Sequence, residues 1–202
     1  LDYGRVHSAN MVIAANENGE ATLTFSATTA PNDPDLVRQV LYELSDGENV
    51  IDDGDLSAGN ATFTISTSDP HQKFVLTAGV DEDQDGILAA NEVSRTLRIY
   101  LMTVMEVNSV ADRKDSKAAD GTPWTGRILD TYDVPEFTFR SFVQYSNATP
   151  GEQTIVFNLP FEMVDANGYS VFNLGVDFPD ITDDVIILGN TIASSEDFQC
   201  VD

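Results

Sequence analysis

The chain has 202 residues, 42% of them hydrophobic, and carries 34 acidic against 10 basic residues, a formal charge of −24. A field of that sign repels phosphate backbones and anionic headgroups, which argues against nucleic-acid and membrane-surface roles. The apolar content suffices for packed cores rather than wholesale disorder, and no run of eighteen apolar residues is present to insert into a membrane.

Asp outnumbers Glu and Lys is rarer than Arg. Such a surface suits a chain bathed in divalent cations or salt, so a secreted, extracellular or cell-surface location is expected. Leu1 stands where an initiator Met would, which points to a chain that has been processed or excised. Cys200 is the single cysteine, so no disulfide forms within the chain; it is read as a free thiol, with a bridge between chains as the alternative. Asn60-Ala61-Thr62 and Asn147-Ala148-Thr149 match the N-glycosylation acceptor pattern.

Leu1–Ala15 is apolar and small without a clean period, and Asn18-Gly19 signals a hairpin turn. Ala21, Leu23 and Phe25 alternate with polar residues as a half-buried strand does. Pro31-Asn32-Asp33-Pro34 marks a loop. Leu36–Leu44 fits a helix through Val37, Val40, Leu41 and Leu44, and a strand through Val40, Tyr42 and Leu44. The strand is preferred because its surroundings read as β, and it runs into the Asp46-Gly47 turn. Asp52-Asp53-Gly54-Asp55 reads as an acidic turn, and Ala61, Phe63 and Ile65 as a strand that breaks at Asp69-Pro70. Phe74, Leu76, Ala78 and Val80 form the next strand; Leu97, Ile99, Leu101, Met105 and Val107 share one face of another.

Between those two strands lies Asp81–Glu92. Acidic oxygens fall at loop positions 1, 3 and 5, glycine at 6, an apolar residue at 8 and glutamate at 12. Calcium requires six to eight hard oxygens, and this spacing supplies them from Asp81, Asp83, Asp85, the Ile87 carbonyl and both oxygens of Glu92. Ala89 at position 9 offers no side-chain oxygen, so a water serves there. Asp52, Asp53 and Asp55, Asp165 with Asn167, and Asp180, Asp183 and Asp184 lack a closing glutamate and read as solvated turns.

The loop resembles the EF-hand-type calcium loops of dockerins and other secreted bacterial proteins. With Phe74–Val80 before it and Val93–Leu97 after it, the context is similar to bacterial immunoglobulin-like modules of large surface proteins. That resemblance covers residues 15–107 and implies a calcium-stiffened β-sandwich; strands in place of flanking helices argue against a dockerin and a cohesin partner. Turn signals recurring about every 8–12 residues agree with a sandwich.

Asn108–Gly126 is charged, small and aperiodic, and is read as a linker or long connection, with Trp124 as its aromatic anchor. Strand patterns resume at Phe137 and Phe139, Val143 and Tyr145, and Ile155, Phe157 and Leu159. Asn167-Gly168 suggests a hairpin joining Phe161–Val164 to Tyr169–Val176, and Val185–Leu188 a buried strand. The expectation is an all-β chain of antiparallel β-sandwiches: an immunoglobulin-like first domain (1–107), a connection (108–126) and a second β-rich domain (127–202).

Enzymatic signals are missing. His7 and His71 have no zinc-ligand spacing, and neither a nucleophile elbow nor a phosphate loop occurs. The expected role is a non-enzymatic, calcium-binding structural or adhesive module of a surface protein or filament, whose partners are neighbouring domains or subunits. One alternative is a carbohydrate-binding module, with Trp124, Tyr132 and Tyr145 facing glycans. Another is a fibre subunit that donates Leu1–Ala15 to a neighbour's sheet edge. A hydrolase with a carboxylate pair ranks last.

Overall fold

In the computed structural model, the described residues are 7–26, 39–56, 60–69, 71–117, 121–175 and 177–189. The chain divides into two units, Leu1–Val104 and Met105–Asp202. Strands dominate, as expected of an all-β chain.

The first unit contains β1 (His7–Ala14), β2 (Glu20–Ser26), β3 (Val40–Ser45), β4 (Val50–Asp55), β5 (Asn60–Ser66), β6 (His71–Val80) and β7 (Val93–Met102). Five of them form one sheet in the order β1-β7-β6-β3-β4, and β2 pairs with β5 in a second. The period-2 patterns decide what each strand buries. Tyr42, Leu44, Phe74, Leu76, Ile99 and Leu101 from the large sheet meet Phe63 and Ile65 from the small one in a single core. Phe63 stacks on Phe25 at 5.3 Å and on Tyr42 at 6.2 Å, so aromatic contacts tie the two sheets together. On the opposite face of β2 and β5, exposed threonines pair across the strands, Thr22 with Thr64 and Thr24 with Thr62.

Three local expectations change. Asn18-Gly19 does not close a hairpin: β1 lies parallel to β7 while β2 lies antiparallel to β5, so this turn carries the chain between sheets. Gly19 is required there, since its φ is +76° and a Cβ would lie 2.3 Å from the Thr67 carbonyl oxygen. Asp52–Asp55 belongs to β4 rather than to a turn; the Tyr42 hydroxyl donates to Asp52 Oδ2 at 3.3 Å. Strand β7 ends at Met102, so Met105 and Val107 are not on its face. Val40, Tyr42 and Leu44 do form a strand, ending at the Asp46 turn. Of Leu1–Ala15, residues 7–14 pair within the chain's own sheet, and the earlier ones lie outside the described residues.

The second unit contains β8 (Trp124–Leu129), β9 (Val134–Phe137), helix α1 (Phe139–Ala148), β10 (Gln153–Val156), a 3-10 turn at Phe161–Met163 and β11 (Val185–Leu188). Strands β8 and β9 pair antiparallel, β10 and β11 parallel. Helix α1 replaces the strand expected from Phe139, Val143 and Tyr145. Thr138 caps it by accepting the Ser141 N–H, and the Ser141 hydroxyl accepts the Thr138 N–H. This reciprocal box starts a helix that buries Phe142, Val143 and Ser146 at helical spacing.

Residues 108–117 and 121–126, read as a connection, fall in this second unit. Val107 is fully buried and bridges to Phe157, and Ser109 bridges to Thr138. The Asn108 amide donates to the Pro135 carbonyl and accepts the Phe137 N–H, both at 2.8 Å. Trp124 opens β8 and donates its indole N–H to the Arg127 carbonyl at 2.8 Å. Asn167-Gly168 forms a turn held by Asp165, but Phe161–Met163 is a 3-10 turn and 169–175 are not strand. Val185–Leu188 is a strand as expected, yet Ile186, Ile187 and Leu188 are 40–49% exposed rather than buried.

Candidate metal centre

The Asp81–Glu92 loop joins β6 to β7, which form an antiparallel pair. Its fold follows from short-range competition between carboxylates and backbone. Asp81 accepts the Gln84 N–H on Oδ1 at 2.7 Å and the Gly86 N–H on Oδ2 at 3.0 Å. Asp85 accepts the Ile87 N–H at 2.8 Å. These are the local side-chain to backbone bonds that Asp offers in turns. They curl the chain through left-handed conformations at Gln84 (φ 62°) and Gly86 (φ 80°).

Three of the expected ligands converge. Carboxylate oxygens of Asp81, Asp83 and Asp85 lie within 4.8 Å of one another, with Asp81 buried and the other two exposed. Among the described residues no other carboxylate or imidazole group gathers in this way. Hard carboxylate oxygens fit calcium or magnesium rather than a thiolate- or imidazole-seeking ion. Asp83 reports the crowding. The Asp85 N–H lowers its pKa, but desolvation with the charges of Asp85, Glu92 and Asp81 outweighs that bond and leaves it raised.

Glu92 stands outside this trio. It is 8% exposed, and its oxygens accept the Glu82 N–H at 2.7 Å and the Ala89 N–H at 2.9 Å, so it staples the two ends of the loop together. Its position is set by a register shift: Ala78 faces Arg95 whereas Gly79 faces Val93, leaving one extra residue on β7. Gly79 makes room for that bulge, because a Cβ there would lie 2.0 Å from the Glu92 carbonyl oxygen. Ile87 is 66% exposed, and with Gly86 and Leu88 it faces Leu41, Glu43 and Asp53 across a cavity of about 110 Å³.

The remaining candidates scatter. Asp52, Asp53 and Asp55 lie along β4; the Asp165 carboxylate is committed to the Asn167 and Tyr169 N–H groups, which hold its pKa low. His7 and His71 are exposed at strand starts, and Cys200 lies outside the described residues. The Asn147 side chain donates to the Asp180 carbonyl and accepts the Thr182 N–H, so this acceptor asparagine already holds a loop.

Two charged centres in the second unit went unread in the sequence. Arg140 is 4% exposed; it forks onto both oxygens of Asp112, donates to the Asp177 carbonyl at 2.6 Å and sits 5.1 Å over the Phe178 ring. This hydrogen-bonded guanidinium holds the Asp112 pKa below its ordinary value. Glu136, 3% exposed, accepts from Ser109 and Thr125 and pairs with Arg113 at 3.1 Å. Partners 28 and 23 residues apart leave no periodic trace in a sequence. Both centres are saturated by their own partners, which suits a structural role.

No protein-family model, curated protein or solved structure matches this chain.

Proposed function

We propose that the protein is a non-enzymatic structural or adhesive β module of an extracellular or cell-surface protein, with calcium bound at Asp81, Asp83 and Asp85. The observation that carries this reading is the convergence of those three carboxylates on one loop between two antiparallel strands. The Ile87 carbonyl and the Glu92 carboxylate would be the further protein donors, with water supplying the rest of an oxygen shell. The strand order supports an immunoglobulin-like assignment. A sheet running β1-β7-β6-β3-β4 opposite a β2-β5 pair corresponds to the G, F, C and C′ strands facing B and E, with the first strand added to G.

Calcium in this setting is a static clip. A sensor loop works by reorienting flanking helices, and here β6 and β7 are fixed by a nine-pair ladder. An ion that binds only the folded state stabilises it by about 2.7 kcal/mol at a hundredfold excess over Kd. Thermal melting of the first unit is therefore expected to rise with millimolar calcium and fall with EDTA, and Asp81→Ala is expected to remove the difference. Identical melting curves with calcium and with EDTA would refute the reading.

A further inference from the structure

We propose that the first unit carries a docking pocket for a lysine side chain of a partner protein, between the outer face of β3 and β4 and the Gly86–Leu88 segment. Its partner rests on the module reading above, while the pocket itself needs no bound metal. Tyr42 and Leu44 enter the core, so Leu41 and Glu43 lie on the opposite face of β3. The β3–β4 register sets Asp53 directly opposite Glu43. Two carboxylates face to face on neighbouring strands repel each other. On the β6 side Glu43 is opposite Thr77, which is uncharged and donates its hydroxyl to the Glu43 carbonyl. Among the described residues neither the Glu43 nor the Asp53 carboxylate has a hydrogen bond or an ion pair. The pair is left with an unanswered negative charge.

The rest of the cavity selects among cations. It measures about 110 Å³, and Leu41, Ile87 and Leu88 line it together with the turn at Gly86. Aliphatic side chains offer no oxygen, so the two carboxylates fall short of the six to eight ligands that calcium takes. A lysine side chain matches both halves of the pocket. Its four-carbon stem covers the apolar walls, and its ammonium, with three N–H donors, bridges the two carboxylates through charge-assisted bonds. Ile87, 66% exposed at the loop's tip, gains a surface to cover. Asp81 and Asp85 accept the Gly86 and Ile87 N–H groups, so this wall is held by the loop's own bonds. The −24 charge of the chain steers a basic partner toward the pocket.

Amide NMR of the full chain in EDTA tests the pocket, with N-acetyl-lysine N-methylamide as the probe and its norleucine counterpart as a neutral isostere. The lysine probe is expected to shift the amides of residues 41–43, 53–54 and 86–88, and the norleucine probe to leave them in place. Glu43→Gln and Asp53→Asn are each expected to weaken binding about tenfold, the equivalent of one charge-assisted hydrogen bond. Removing one of two facing like charges leaves the fold intact. Ile87→Ala is expected to weaken binding severalfold through the lost apolar wall. Shifts spread over the whole acidic surface, or unaltered binding in both carboxylate variants, would overturn the proposal. Equal binding of the norleucine probe would do the same. Tighter binding of spermidine confined to the same amides would give the pocket to free polyamines and also sink it. The calcium reading fails separately. Its melting shift is expected to persist in Glu43→Gln and Asp53→Asn, and the lysine titration in EDTA decides whether or not that shift exists.

Discussion

The two units reach stability by different routes. In the first, long strands place alternate residues into one core shared by two sheets. In the second, strands are short, and irregular segments are held by particular polar residues: Arg140 with Asp112, Glu136 with Ser109 and Thr125, Asn108 with β9, Asn147 with the chain at 180–182. Four phenylalanines, Phe139, Phe157, Phe172 and Phe178, fill the space that ladders do not. A periodic core spreads its stability over many equivalent contacts. An irregular one concentrates it in a few groups whose loss leaves a buried charge.

That contrast is best tested by removing one group from each unit. Arg140→Ala should cost about 3–5 kcal/mol, because it strands the Asp112 carboxylate and frees the Asp177 carbonyl and the Phe178 ring. Leu44→Ala, at a fully buried position, should cost about 2–5 kcal/mol by opening a cavity. Hydrogen exchange is expected to place each effect in its own unit, and a comparable loss of protection across both would break the comparison.

A smaller loss is expected at the helix. Thr138→Ala removes the cap of α1 and should cost about 1 kcal/mol, seen as faster exchange in the first turn. A change below a tenth of that would mean that packing of Phe142 and Val143, not the cap, fixes where the helix begins.

The smallest effect is one of sign. Asp112 has a lowered folded pKa, so its contribution is present above the unfolded value and is lost as pH falls from about 4 through the folded pKa. Asp83 has a raised pKa, so metal-free folding is favoured by its protonation and opposed once pH rises past the folded value. Acidification without calcium should therefore weaken protection around Asp112 while strengthening it in the Asp81–Glu92 loop. Amide exchange followed across mild acid checks both directions.

What the sequence made legible follows the same division. Alternation at Phe63 and Ile65, at Phe74 and Leu76, and at Ile99 and Leu101 predicts strands because a two-sheet core demands period 2. The aspartate trio was legible because its members fall within five residues. The pairing of β1 with β7 was not, since parallel partners about 90 residues apart share no local signal. Helix α1 was missed because Phe137 and Phe139 alternate into it. Thr138 and Ser141 at cap spacing, followed by Phe142 and Val143, were the signs that outweigh that alternation. Asn108–Gly126 looked like a connection because its anchoring is polar and long-range, a kind of packing that hydropathy does not register.

The exposed aliphatic strand β11 bears on how the molecule behaves in suspension. Val185-Ile186-Ile187-Leu188 has no lysine or proline, and among the described residues it pairs only with β10. Open edges of this kind invite edge-to-edge association. The −24 charge opposes such encounters at long range, as in any charge-stabilised colloid. Salt and divalent cations shrink that repulsion to a few ångströms, so the calcium-rich medium proposed for the aspartate loop would also lower the barrier between copies. On the calcium proposal, ionic composition would set two properties in opposite directions, the rigidity of one unit and the dispersion of the whole chain.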